Sequence, residues 1–129
     1  MGQAKIRHIA ICTEDTRKLA DFYINTFGMT QVMEQTPQDD QGPTDQRAIY
    51  VSDGYINLAI LPTRGQREEG IEHFGFQVED CQETGKVAKE AGAKFQISPR
   101  PRDGRYAEFR IHDPVGTPVD LAESGWKVE

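Results

Sequence analysis

Two histidines, His8 and His73, occupy equivalent places in two similar stretches of this 129-residue sequence. Ile6–Asp15 and Ile71–Asp80 are each strand-like, with a histidine near the start, an acidic pair at the end and a helical pattern directly afterwards. Such self-similarity at a long offset indicates two copies of one structural unit. Because equivalent strands of a duplicated sheet can bring equivalent side chains to one point, the two histidines are a candidate metal site.

Strand alternation predicts that both histidines lie on the same face of the sheet. Successive side chains of a strand point to opposite faces, so His73 points away from the apolar Phe74 and Phe76. By the same alternation, His8 points away from Ile9. The apolar residues should pack under the helices, which leaves both histidines on the opposite, concave face.

The last strand of each copy carries the same triplet of apolar, polar and apolar residues, Ile56–Leu58 in the first copy and Val119–Leu121 in the second. Alternation directs the central Asn57 and Asp120 to the histidine face. The duplication therefore predicts four polar groups on one inner surface: His8, Asn57, His73 and Asp120. Two imidazoles and one carboxylate form the facial triad that binds iron(II), and the same donors serve manganese, nickel, cobalt or zinc.

Each of these assignments has an alternative. His8 and His73 could be ordinary sheet histidines that hydrogen-bond to their neighbours, although their duplication and shared face favour metal ligation. Glu123 could replace Asp120 as the carboxylate ligand, but alternation places Glu123 on the other face. Asn57 could ligate the metal, orient a ligand or simply fill space.

Further side chains should line or rim the same surface. One face of the strand near residue 110 carries the polar set Tyr106, Glu108, Arg110 and His112. Glu108 and Tyr106 could act as acid or base, and His112 could lie at the mouth of the site. Arg110 could bind a substrate carboxylate or enolate, and Tyr50 and Tyr55 could form walls of a substrate pocket. The alternative is a solvated sheet edge with scattered ion pairs and plain aromatic packing.

Each histidine strand is followed by one helix and then by three strands. Asp15 and Asp80 are the predicted N-caps, and Gly28 and Gly92 are predicted to end the helices. The apolar face of the first helix is Leu19, Phe22, Tyr23 and Phe27. The remaining strands are predicted at 31–33, 48–52, 55–61, 94–97, 106–111 and 117–121. The stretch 35–46 has no periodicity and is predicted to be a solvated connection, with a substrate lid as the alternative.

Composition limits the cellular setting and the partners. The net charge of −6 and the scattered basic residues argue against a nucleic-acid partner, because binding phosphates needs a basic face. The two cysteines form no CxxC motif, so a reducing, cytoplasmic location is expected. No apolar run approaches the roughly 20 residues of a membrane span, and no membrane partner is expected.

Several stretches together carry a resemblance to a known family: Ile6–Ile11, Ala20–Tyr23 with Phe27–Met29, Glu72–Phe76, and His112–Leu121. Over essentially its whole length the sequence resembles the vicinal oxygen chelate superfamily. That superfamily includes glyoxalase I, methylmalonyl-CoA epimerase, extradiol ring-cleavage dioxygenases, and the fosfomycin and bleomycin resistance proteins.

The resemblance implies an α+β fold in which two βαβββ modules form an open, eight-stranded, barrel-like cup with the helices on its outer face. The expected organisation is one domain over 1–129, with a first module at about 5–62 and a second at about 70–123. The resemblance also implies one divalent metal ion, iron, manganese, nickel, cobalt or zinc, held by His8, His73 and Asp120 with Asn57 at the fourth place. A homodimer is expected, with the site either within one chain or shared between two.

Three functions are compatible with these features. The first is a metal-dependent enzyme that acts on a small oxygenated or aromatic metabolite by lyase or isomerase chemistry through a metal-bound enolate. Glyoxalase I has a carboxylate where this chain has the neutral Asn57, which cannot abstract a proton, so Glu108 or a metal-bound hydroxide would be the base. The second is an iron(II) ring-cleavage dioxygenase, in which Tyr106 or His112 would assist proton transfer. The third is a non-catalytic binding or resistance protein.

Overall fold

The computed structural model describes residues 2–34, 47–99 and 107–129 of the chain. In these ranges, strand, helix and three strands follow one another twice, as the duplicated sequence predicts. The first copy contains β1 (Lys5–Thr13), α1 (Thr16–Phe27), β2 (Thr30–Glu34), β3 (Ile49–Ser52) and β4 (Asn57–Pro62). The second copy contains β5 (Gly70–Gln77), α2 (Cys81–Glu90), β6 (Lys94–Pro99), β7 (Phe109–His112) and β8 (Pro118–Ala122).

Within the described ranges, eight strands form one open sheet in the order β2-β3-β4-β1-β5-β8-β7-β6. β5 and β8 run parallel, whereas β2 with β3, β3 with β4, β6 with β7 and β7 with β8 are antiparallel pairs. The predicted α+β class with an open eight-stranded sheet is confirmed.

The chain divides into two compact units. The α1 unit comprises Ile9–Ile71 and Lys127–Glu129, and the α2 unit comprises Met1–His8 and Glu72–Trp126. The division between them falls within β1, directly after His8.

In the α1 unit, the helix is held at both ends as the sequence predicts. The Asp15 carboxylate accepts a hydrogen bond from the Lys18 backbone N–H at 3.0 Å. At the other end, Gly28 adopts a left-handed φ of 71°, and its N–H donates to the Ile24 carbonyl at 2.9 Å. The helix packs over a buried cluster of residues from α1, β3 and β4, namely Ala20, Ile49, Val51, Leu58 and Ile60.

The predicted apolar face of α1 is only partly covered. Leu19 and Tyr23 pack against the buried cluster, whereas Phe22 and Phe27 are 53% and 66% exposed. Phe22 makes edge-on contacts with the rings of Tyr23 and Phe27. The apolar stripe is therefore wider than the strip of sheet that this helix covers.

In the α2 unit, the Asp80 carboxylate caps the helix by accepting a hydrogen bond from the Glu83 N–H at 3.0 Å. The helix ends at Glu90, and the predicted Gly92 follows two residues later with a left-handed φ of 99°. Its buried cluster consists of Val78, Cys81, Val119 and Leu121, with Phe74, Phe76, Phe109 and Ile111 packed against it.

Two strands start at least two residues later than predicted. β4 starts at Asn57 because the Asp53 carboxylate accepts hydrogen bonds from the N–H groups of Tyr55 and Ile56 and keeps them in the preceding turn. The predicted strand 106–111 is assigned as β7 from Phe109 onward. Tyr106, and the connection predicted at 35–46, lie outside the described residues.

Of the helices in the described residues, neither α1 nor α2 has the length and apolar character needed to cross a membrane.

Candidate metal centre

Three residues of the α2 unit, His8, His73 and Asp120, come together from three strands. His8 lies on β1, His73 on β5 and Asp120 on β8, and each is only 5% exposed. Buried histidines and carboxylates need partners, so this concentration of polar side chains requires a chemical explanation.

The pairing of β5 with β8 explains why these side chains share a face. Phe74 is paired with Val119, and both side chains pack in the hydrophobic cluster under α2. The next pair, Gly75 with Asp120, must face the other way because side chains alternate along a strand. His73, two residues before Gly75, lies on the same face as Asp120.

The ligand atoms of the three side chains converge. His8 Nε2 lies 3.3 Å from His73 Nε2, and His73 Nε2 lies 3.3 Å from Asp120 Oδ2. One ligand atom from each residue lies within 4.8 Å of the other two. Ligands bound about 2.1 Å from a divalent ion and separated by about 90–110° are themselves about 3.0–3.4 Å apart, so the two 3.3 Å separations suit a metal.

Glu72 sets the orientation of the His73 imidazole. Its Oε1 lies 2.7 Å from His73 Nδ1. Because an ionised carboxylate only accepts hydrogen bonds, we assign the ring proton to Nδ1. Nε2 then presents its lone pair toward His8 and Asp120, which is the arrangement that metal-binding histidines adopt when a carboxylate holds their other nitrogen.

Arg110 on β7 fixes the Asp120 carboxylate. Its Nε donates to Oδ1 at 2.7 Å and its Nη2 donates to Oδ2 at 3.2 Å. The pairing follows from the register, in which Arg110 lies opposite Asp120 across β7 and β8. Nη2 also lies 3.3 Å from His73 Nδ1. Since the Nδ1 proton is directed to Glu72, Nδ1 does not accept a hydrogen bond from Arg110. The positively charged guanidinium therefore lies beside the His73 ring without bonding to it.

The residues present fit a divalent metal. Two imidazole nitrogens and one carboxylate oxygen form the donor set of the iron(II) facial triad, which also serves manganese, cobalt, nickel and zinc. Asp120 can offer Oδ2 to a metal while Oδ1 stays with Arg110. The guanidinium offsets the carboxylate charge, however, and so lowers the attraction of this site for a cation compared with a triad lacking the arginine.

Asn57, the predicted fourth ligand, lies in the α1 unit. It is fully buried on β4, and its Nδ2 donates to the Lys127 carbonyl at 2.7 Å. Its role at the metal stays a prediction.

The other predicted site residues have diverse surroundings. Glu108 accepts a hydrogen bond from the Glu123 N–H at 2.7 Å and lies near the Cys81 thiol, so its carboxylate belongs to a separate group. His112 and Phe95 make an edge-to-face ring contact at a centroid distance of 5.1 Å.

The predicted tyrosines lie in different places. Tyr50 is half-buried on β3, and Tyr55 is exposed in the turn before β4. Tyr106 lies outside the described residues. The catalytic and substrate-binding roles of these residues stay predictions.

Sequence reasoning missed two residues that contact the triad. Glu72 directly precedes His73, so a carboxylate beside a candidate metal-binding histidine was an available signal. Trp126 stacks on His8 with ring centroids 4.7 Å apart and planes 3° apart. Nothing in the spacing of the sequence pointed to that contact, because Trp126 follows the last predicted strand.

The second group, Cys81 with Glu108 and Glu123, lies at the start of α2. Glu123 Oε2 accepts a hydrogen bond from the Cys81 N–H at 2.9 Å. Burial, reinforced by the carboxylate of Glu108 and then that of Glu123, raises the pKa of the Cys81 thiol from its ordinary 9.0 to about 12. The thiol is therefore protonated at neutral pH, and these carboxylates serve the chain as hydrogen-bond acceptors.

The duplicated α+β fold, with a two-histidine and one-carboxylate cluster in one unit, agrees with the family that the sequence resembles. The chain belongs to the Glyoxalase/Bleomycin resistance protein/Dioxygenase superfamily, whose family model matches residues 5–121. This match confirms the resemblance seen in the sequence. A search of curated protein sequences finds no match.

Solved structures with the same fold belong to proteins of different activities. A hypothetical protein from Bacillus halodurans C-125 aligns with a TM-score of 0.74 and 20% identity over 99% of each chain. Methylmalonyl-CoA epimerase from Mycobacterium tuberculosis gives a TM-score of 0.66 and 19% identity over 90% of this chain and 85% of the epimerase. The 2,3-dioxygenase LapB from Pseudomonas sp. KL28 gives 0.65 and 18% over 96% of this chain and 42% of the dioxygenase. At these identities the similarity shows the fold alone.

Proposed function

We propose that this protein is a metal-dependent enzyme that acts on a small oxygenated metabolite by lyase or isomerase chemistry. The observation that carries the proposal is the convergence of His8 Nε2, His73 Nε2 and Asp120 Oδ2, each on a buried side chain. A divalent metal bound there would supply Lewis-acid polarisation of substrate oxygens.

The chain's own residues have distinct roles in this proposal. His8, His73 and Asp120 would hold the ion, and Glu72 keeps the proton on Nδ1 of His73 so that Nε2 stays available. Arg110 keeps the Asp120 carboxylate in one orientation through two hydrogen bonds. Since the amide of Asn57 cannot act as a base, Glu108 or a hydroxide supplied by the metal would be the base of this reaction. Tyr106 or His112 would assist proton transfer in the dioxygenase alternative.

Structural neighbours support both enzymatic alternatives. An epimerase, which is an isomerase, shares the fold, and so does a dioxygenase. The donor set alone also suits an iron(II) dioxygenase. The type of reaction catalysed therefore decides between these two enzymes.

Metal content is the first test. Protein purified without a metal-affinity tag should contain close to one equivalent of iron, manganese, nickel, cobalt or zinc by elemental analysis. His73→Ala should lose most of this metal because it removes the central ligand. His112→Ala is the matched control for metal content and should retain it, since His112 contacts Phe95 on the neighbouring strand. A wild type that contains no metal and takes up none at micromolar concentrations would rule out the proposal.

The reaction type is the second test. Metal-loaded protein in D2O should incorporate deuterium next to the carbonyl of one member of a panel of 2-oxo acids and acyl-CoA esters, as measured by mass spectrometry. The same protein should consume no oxygen with catechols. Oxygen uptake that depends on catechol and iron would instead establish the dioxygenase.

A metal-free binding protein is the second candidate, and the Arg110–Asp120 pair favours it. The two hydrogen bonds from the guanidinium satisfy the carboxylate without a metal ion. In that case, ligand binding would persist in chelator and in His73→Ala. The expectation of a cytoplasmic homodimer stays a prediction, and light scattering of the purified chain measures the oligomeric state.

A further inference from the structure

Trp126 reaches the candidate metal centre through a turn that follows β8. Gly125 has a left-handed φ of 73°, which lets the chain reverse directly after the strand. Gln77 on β5 supports this turn by donating to the Glu123 carbonyl at 3.2 Å. The indole packs with Ala107 and Ala122, whose small side chains leave room for it, and is 8% exposed.

The indole ring occupies the space that a side chain at position 75 would need. A Cβ atom on Gly75 would lie 2.5 Å from Trp126 Cη2 and 2.7 Å from Cζ2. Gly75 is not among the glycines with a positive φ, so its backbone does not require glycine. The lack of a side chain at this position therefore makes room for the indole. The next neighbour of such a Cβ would be the Asp120 carbonyl oxygen at 3.2 Å, so the indole is the group that it would displace first.

Trp126 also determines where the His8 ring can lie. The Trp126 indole and the His8 imidazole are 3° from parallel, with their centroids 4.7 Å apart. The centroids of the His8 and His73 rings are 5.3 Å apart, and their planes are tilted by 41°. Rotating the His8 ring would break the stack and lose the favourable contact between the two aromatic rings. In the stacked position, Nε2 of His8 lies 3.3 Å from Nε2 of His73.

We propose that Trp126 is a positioning residue that holds the His8 imidazole in its metal-binding orientation, and that Gly75 is the position that admits it. This inference depends on the proposed metal function. Groups that orient metal ligands typically contribute about 10–100-fold to metal affinity, so we expect a loss of about tenfold when the indole is removed.

Zinc affinity, measured by competition with a chromogenic chelator, tests the proposal. Trp126→Ala should bind zinc about tenfold more weakly, and Trp126→Phe should recover most of the affinity because it keeps an aromatic ring. Gly75→Ala should weaken binding although the indole is present, because its Cβ displaces the ring. The double variant should bind no more weakly than Trp126→Ala alone, since both changes remove the same stack.

A matched control separates positioning from general destabilisation. Phe76→Ala removes an aromatic ring from β5, the strand that carries His73 and Gly75. The Phe76 ring lies on the face opposite to His73, where it packs in the cluster under α2. It should lower thermal stability and leave zinc affinity unchanged. If Trp126→Ala and Phe76→Ala weaken zinc binding equally, or if Trp126→Ala binds zinc as the wild type does, the positioning role is wrong and the proposed function stands.

The stack can also be tested without metal. Trp126 is the single tryptophan of the chain, so tryptophan fluorescence reports on its surroundings alone. His8→Ala should change the emission of the metal-free protein, whereas His112→Ala should not. An unchanged spectrum in His8→Ala would contradict the stack itself, and a wild type that binds no zinc or other divalent metal would overturn both this inference and the proposed function.

Discussion

Cys81 shows how a side chain's surroundings can override its position on a helix. As the first residue of α2, it lies where the helix dipole would lower a thiol pKa. Burial and the carboxylates of Glu108 and Glu123 act in the opposite direction and raise the pKa of this thiol to about 12. Cys81 is thus a buried hydrogen-bonding group and not a nucleophile at neutral pH.

This raised pKa predicts a dependence of stability on alkaline pH. Between the ordinary value of 9.0 and about 12, the folded protein keeps the thiol proton that the unfolded chain has lost. The contribution of Cys81 to the free energy of unfolding is therefore complete below pH 9 and declines as pH rises toward 12. Urea unfolding between pH 8 and pH 10.5 should show a steeper decline for the wild type than for Cys81→Ala. Parallel curves would contradict the assignment.

At the scale of elements, the two helices start with the same capping arrangement. Asp15 and Asp80 each accept a hydrogen bond from the backbone N–H three residues later, at 3.0 Å in both cases. The duplication therefore extends to the polar contacts that fix where each helix begins.

The cap of α1 predicts a measurable loss of stability. Asp15→Ala leaves the Lys18 N–H without its side-chain acceptor and should lower the free energy of unfolding by about 1 kcal/mol. Lys18→Ala is the matched control, because it keeps the backbone N–H and should change stability by less than about half of that. Chemical denaturation monitored by circular dichroism gives both values, and equal losses would argue against the cap.

Local patterns in the sequence predicted the elements and the faces of the strands. Caps and strand alternation depend only on neighbouring residues, so the start of α1 at Asp15 and the shared face of His73 and Asp120 could be predicted. The duplication relates residues that are far apart in the sequence. It therefore predicts that His8 and His73, which occupy equivalent positions in the two copies, lie close together.

Contacts between residues on different strands could not be predicted in the same way. Glu108 and Arg110 have the same parity, yet Arg110 pairs with Asp120 while Glu108 bonds to the turn at Glu123. Strand parity gives a face but not a partner, because register and side-chain conformation decide which polar groups meet. The stack of Trp126 on His8 depends in addition on a turn after β8 that has no periodic signal.

For the whole molecule, a bound metal should appear as added stability. A ligand that binds only the folded chain, at about 100 times its dissociation constant, adds about 2.7 kcal/mol to the free energy of unfolding. In a chain of this size, that corresponds to a rise in Tm on the order of 10 °C. Differential scanning calorimetry with excess zinc or manganese against chelator should show this rise in the wild type and not in Asp120→Asn. A wild-type Tm that does not respond to any of the candidate metals would contradict the proposed site.

The division of the chain has a consequence for biosynthesis. The unit that carries the triad is assembled from Met1–His8 and Glu72–Trp126, with most of the other unit encoded between them. A ribosome therefore releases His8 long before it has made β5, and Asp120 follows later still, on β8. In zinc fingers, closely spaced ligands let the metal drive folding. Here the nascent chain must complete both sequence segments before the three ligands can meet, so loading of the proposed metal is expected to follow synthesis instead of guiding it.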